Sequence, residues 1–151
     1  MAPPGNYKKY KVFISSSNGT GTFGEVITAP VMGTPVMGHT ETFISLGCFD
    51  TEQEAANLML YLKTKFARFA LGTKKVTQDN KTPKVWSNVP LQDFTENSDI
   101  DWSKSITEID QQLYKKYGLD QQEIDFIEEK VRSMDNTFVE EKQKENKQYE
   151  V

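Results

Sequence analysis

A chain of 151 residues with 36% apolar and 11% aromatic side chains can fill one modest core, so one compact unit is expected. Cys48 is the only cysteine and His39 the only histidine, which excludes an internal disulfide or a Cys/His zinc cluster. The net charge of −4 argues against a nucleic-acid partner until its distribution is read: residues 1–90 hold ten Lys/Arg against six Asp/Glu, residues 91–151 eight against sixteen.

Tyr10-Lys11-Val12-Phe13-Ile14-Ser15 is β-branched and aromatic, and predicts a strand followed by a polar loop from Ser16 to Gly21. A second strand is expected over 25–28. Pro30, Gly33, Pro35 and Gly38 punctuate the next stretch and predict loop or sheet edge. TETFISLGC at 40–48 alternates as a strand does. Asp50, Thr51, Glu52 and Glu54 then supply a cap and first-turn acids for a long helix ending at Gly72. On its wheel Ala55, Leu58, Met59, Leu62, Phe66 and Phe69 form the core face. Tyr61, Lys65 and Arg68 form a second, solvent-facing stripe.

Residues 72–101 read as irregular, with Pro83, Pro90, Trp86 and Phe94. Ile106, Ile109, Leu113 and Tyr117 then recur at helical spacing up to Gly118, a C-terminal stop with Leu119 packing back. Asp120 and Glu123 make a capping box for a second helix with Ile124, Ile127, Val131 and Met134 inward, which completes a helical hairpin. From Asp135 onward eight of seventeen residues are charged, and a disordered tail is expected. No run of eighteen apolar residues and no signal-peptide pattern occurs, so the expectation is a soluble, cytoplasmic chain without a membrane partner.

Several motifs yield to plainer readings. Gly19-Thr20-Gly21-Thr22-Phe23-Gly24 matches a dinucleotide fingerprint, but the following residues read as strand rather than the helix that a pyrophosphate site requires. Glu128 and Lys130 have the spacing of a nuclease metal site, yet on a helix they diverge by about 200°. His39 has no triad partners, and Asp93, Asp99 and Asp101 lack a calcium loop's glycine turn and terminal glutamate. A basic segment is more telling. Lys63, Lys65, Arg68, Lys74, Lys75, Lys81 and Lys84 stand against Asp79 alone, with Tyr61, Gln78, Asn80 and Asn88 interleaved, as phosphate and base-edge contacts require. Lys8, Lys9 and Lys11 add to this patch if the fold brings them near.

The blocks TETFISLG (40–47), FDTE (49–52), EAANL (54–58), YLKTKF (61–66) and Arg68-Phe69 closely resemble the C-terminal region of bacterial restriction-modification adenine methyltransferases. KVTQ (75–78), WSNVPLQDFT (86–95), DQQLYKKYGL (110–119) and EIDFIE (123–128) follow as the later blocks of that region in the same order, so the likeness spans roughly residues 7–134. In that family, which includes combined type IIG endonuclease-methyltransferases, a specificity domain that selects the DNA sequence follows the methyltransferase domain. The resemblance implies a DNA-binding target-recognition module, a fragment that has double-stranded DNA and the parent's catalytic domain as partners. The Asn-Pro-Pro-aromatic catalytic motif is absent, its nearest string being Asn88-Val89-Pro90-Leu91. No enzymatic activity and no cofactor are therefore expected of the fragment; S-adenosylmethionine, and Mg2+ if an endonuclease is fused, belong to the parent.

Within that reading Lys65 and Arg68 contact phosphates, Lys63, Lys74, Lys75, Lys81, Lys84 and Tyr61 extend the surface, and Ser16, Asn18 and Gln78 read bases. The rival reading is a protein-interaction domain that docks parts of a restriction-modification complex, which the acidic C-terminal hairpin suits. The expected architecture is α+β: a small mixed sheet on a long amphipathic helix, then a helical hairpin and a charged tail. Residues 1–100 form the basic recognition part, 101–134 the hairpin and 135–151 the tail.

Overall fold

The computed structural model describes residues 7–15, 29–38, 43–72 and 86–134. Their architecture is α+β. Three strands, β1 (Tyr10–Ser15), β2 (Val31–Gly33) and β3 (Phe43–Phe49), pair antiparallel in the order β2-β1-β3. The sheet expected to be mixed is thus antiparallel among the described strands. The stretch read as loop or edge contributes β2 as a three-residue edge strand, short enough for Pro30 and Pro35 to flank it. The strand expected over 25–28 lies outside the described residues.

β1 is the central strand, and its middle four residues are buried. Val12 and Ile14 enter the main core, while Lys11 and Phe13 are covered on the other side of the pleat. Its register against β3 slips: Val12 faces Leu46 but Tyr10 faces Phe49, which leaves an extra residue in β3. Gly47 sits in that bulge with φ +86°, and a Cβ there would collide with the Phe49 ring.

The single helix expected up to Gly72 is two. α1 (Glu52–Lys63) opens on Thr51, whose hydroxyl accepts the Glu54 N–H, and ends at Thr64; α2 (Lys65–Gly72) starts immediately. Thr64 is extended (φ −65°, ψ 149°) and fully buried. Its hydroxyl donates to Tyr61 O at 2.6 Å and accepts the Ala67 N–H at 3.1 Å, closing one helix and opening the next. Because the break resets the 100° progression, residues on either side of it no longer share the face the wheel assigns them.

α3 (Ile106–Lys116) starts at a capping box of Ser105 and Glu108, and α4 (Gln121–Lys130) at the expected box of Asp120 and Glu123. Between them Gly118 takes φ +63° and the Leu119 N–H reaches Tyr114 O at 3.0 Å, a Schellman-type stop. One hydrophobic cluster joins Val12 and Ile14 to Leu58, Leu62, Phe66, Phe94, Trp102, Ile109, Leu113, Ile127 and Val131. It runs across the boundary expected at residue 100.

The irregular segment after Trp86 is built into this core. Asn57 donates to Phe94 O at 2.8 Å, Tyr61 OH to Pro90 O at 2.7 Å, and Trp102 Nε1 to Asp93 O at 2.9 Å. The rings of Tyr61, Phe94 and Trp102 lie 5.3–6.0 Å apart in tilted and edge-on contacts.

Candidate nucleic-acid interface

The stripe expected to face solvent does so only in part. Tyr61 is 2% exposed and Arg68 4% exposed, so neither reaches a phosphate, and both assignments are corrected. Tyr61, on α1, is covered by Pro90, Phe94 and Trp102, whereas Arg68 lies beyond the break at Thr64 and sits near Asp110 and Tyr114 of α3. Burial raises the Tyr61 phenol's pKa, against the pull of Gln92. Arg68 donates Nε to Thr64 O and a terminal nitrogen to Lys63 O, both at 3.3 Å, while Nη1 is buried without a hydrogen-bond partner. Burial lowers its pKa to about 10, against the pull of Asp110 and Tyr114, so it stays a cation at neutral pH.

Lys65 is also engaged. Its ammonium donates to Glu128 Oε2 at 2.7 Å with the side chain 18% exposed. Lys63, at the end of α1, is half-buried. Lys74, Lys75, Gln78, Lys81, Lys84, Ser16 and Asn18 lie outside the described residues, as do the glycine-rich run at 19–24, His39 and the tail from 135. Of the N-terminal lysines, Lys9 pairs with Asp50 and Lys8 is exposed. Lys11 is 1% exposed, and its ammonium gathers the carbonyls of Tyr7, Lys9 and Thr34 at 2.9–3.3 Å. It braces the turn and is removed from the basic patch.

Sequence reasoning missed the feature that organises this region, the buried Asp110. Its carboxylate accepts the Lys65 N–H at 3.0 Å and the Phe66 N–H at 2.9 Å, and so caps α2 from another helix. Burial pushes its pKa up to about 6, although the two amides and Arg68 pull it down. Glu128 accepts Tyr114 OH at 2.8 Å as well as the Lys65 ammonium, so α2, α3 and α4 meet in one polar network. A signal was available: Asp110 is four residues after Ile106 and three before Leu113, an acid on an apolar face. Such a residue needs buried partners.

The other candidates have local roles. Glu128 and Lys130 sit on α4, with Glu128 bound as above and Lys130 beside Glu129 at 3.6 Å. Asp93 accepts Thr95 N–H and OH, and Asp101 accepts Ser103 N–H and OH; these bonds lower both pKa values. Asp99 pairs with Lys116 at 2.8 Å. Among the described residues no helix is long and apolar enough to cross a membrane. Comparison with protein-family models, curated proteins and solved structures finds no match to the chain.

Proposed function

We propose that this chain is a DNA-binding target-recognition module, a C-terminal fragment of a restriction-modification adenine methyltransferase or endonuclease-methyltransferase without its catalytic domain. One observation carries the reading: the blocks that resemble that family are the ones that lock to each other. Asn57 and Tyr61 bind the 86–95 block, and Asp110 caps the 61–66 block. A likeness concentrated in residues that fix tertiary contacts supports a shared scaffold better than scattered surface matches would.

Adenine methylation takes the base out of the stack, so the parent enzyme must grip its site while chemistry proceeds in another domain. This module supplies grip and sequence choice and carries no methyl transfer or cleavage. With Tyr61 and Arg68 buried, the contact falls to Lys63, Lys74, Lys75, Lys81 and Lys84, with Ser16, Asn18 and Gln78 as base readers. Residues 73–85 hold four lysines against one aspartate.

The test is binding to duplex DNA, by the chain and by the parent enzyme, at several salt concentrations. Replacing Lys74, Lys75, Lys81 and Lys84 with Ala weakens binding to all sequences, and the log-log salt slope flattens by roughly 0.9 for each phosphate no longer neutralised. An unchanged slope in that variant rejects the interface. Methyl transfer from S-adenosylmethionine by the purified chain rejects the non-catalytic reading.

A further inference from the structure

The break between α1 and α2 is sealed on both sides by side chains. On the amide side, Asp110 of α3 accepts the N–H groups of Lys65 and Phe66, and the Thr64 hydroxyl accepts that of Ala67 at 3.1 Å. On the carbonyl side, Arg68 donates to Lys63 O and Thr64 O, while Tyr61 O takes the Thr64 N–H at 3.0 Å and its hydroxyl at 2.6 Å. A continuous helix would replace these bonds with its own: Lys65 N–H to Tyr61 O, Phe66 N–H to Leu62 O and Ala67 N–H to Lys63 O. The next bond of that ladder is already made, from Arg68 N–H to Thr64 O at 3.3 Å. Nothing in the sequence forbids continuity, because residues 52–71 contain neither glycine nor proline. The bent and straight forms differ chiefly at one soft torsion, the ψ of Thr64, which is 149° here and about −42° in a helix.

We infer that residues 52–72 are a two-state element, bent at Thr64 while α3 is docked and one continuous helix when α3 comes away. Of the three amides that the bend takes out of the helical ladder, two depend on Asp110. Once α3 leaves they have no acceptor in the bent form, whereas turning Thr64 into helical conformation restores both bonds and adds that of Ala67. The apolar period favours the same outcome, since Leu58, Leu62 and Phe66 follow at intervals of four. α4 is tied to this joint through Glu128, which accepts from both the Lys65 ammonium and Tyr114 OH. Movement of the helical hairpin is thereby converted into a change in the direction in which α2 leaves α1. The inference does not rest on the DNA reading, and either can fail alone.

The experiment is native-state amide exchange on the full chain in rising, sub-denaturing urea. α3 has eleven residues and does not hold its own amides once undocked. The continuous helix keeps those of Lys65 and Phe66 bonded, so they exchange about tenfold or more slowly than Leu113 and Tyr114, in step with Leu58 of mid α1. Exchange of Lys65 and Phe66 together with Leu113, or one common opening for all five amides, overturns the inference. Leu113→Ala loosens α3 at a fully buried position and enlarges the open fraction. Saturation-transfer NMR of that variant reads the open fraction directly, and helical Cα and Cβ shifts at Thr64 are expected in it. Extended or coil shifts there, or no open fraction in which α1 survives, overturn the inference as well.

Discussion

Asp110 caps a helix 44 residues away: its Oδ1 accepts the Phe66 N–H at 2.9 Å, while Oδ2 takes the N–H of Lys65. Local sequence ordinarily supplies a helix cap. Here α3 holds α2 in place through a single carboxylate. Asp110→Ala leaves the Lys65 and Phe66 N–H groups without an acceptor and removes a negative charge that acts on the buried Arg68. The expected loss is about 2–4 kcal/mol in urea denaturation, from two buried N–H groups left without an acceptor. A loss under about 1 kcal/mol would show that water replaces the carboxylate.

The same residue gives a pH dependence with a defined sign. Its folded pKa of about 6 lies above the unfolded 3.8, so the folded state binds the proton more tightly. That contribution is complete below about pH 4 and is lost as pH rises to about 6, on the order of 3 kcal/mol in all. Arg68, Tyr114 and Glu128 face the carboxyl from α2, α3 and α4, and their charges enter this balance. Stability relative to Asp110→Asn, measured from pH 4 to 6, should fall with rising pH. A flat difference would place the carboxyl in a better solvated setting.

Arg68 acts on stability before it acts on anything else. Arg68→Ala removes a 4%-exposed side chain with its bonds to Thr64 O and Lys63 O and should cost about 2–3 kcal/mol. Lys63→Ala, at the half-buried end of α1, should stay within about 0.5–1 kcal/mol. Thermal melts compare the two. Equal effects would contradict the burial that separates them.

Thr64→Val keeps the shape of the helix break and deletes its hydroxyl. The bond to Tyr61 O and the acceptor for the Ala67 N–H both disappear, at about 1–2 kcal/mol. Amide exchange at Ala67 should accelerate more than at Leu58 in mid α1. Uniform acceleration would mean that the two helices open together.

Gly47→Ala tests the bulge. At φ +86° a side chain is strained, and its Cβ meets the Phe49 ring, so about 1–3 kcal/mol is expected. Exchange should rise across β1 and β3. A neutral effect would indicate that the bulge relaxes when the ring moves.

The sequence by itself determined the elements whose signals are local. β1 and β3 follow from β-branched and aromatic runs, the start of α1 from Thr51, and the turn between α3 and α4 from Gly118 with the box of Asp120 and Glu123. Ser105 and Glu108 carry the same kind of signal at the start of α3. The break at Thr64 was not legible, because Lys63-Thr64-Lys65 is compatible with a helix and the apolar period runs through it. Only the folded arrangement decided it: Asp110, distant in the chain, satisfies the N–H groups that a continuous helix would have bonded to its own preceding turn. Arg68 beyond that break, and Tyr61 beneath Pro90, Phe94 and Trp102, lie in the core rather than on a solvent-facing stripe, and neither remains in the candidate interface. The course of residues 86–105 was equally hidden. Its anchors are the side chains of Asn57 and Tyr61, which no periodicity within the segment itself encodes.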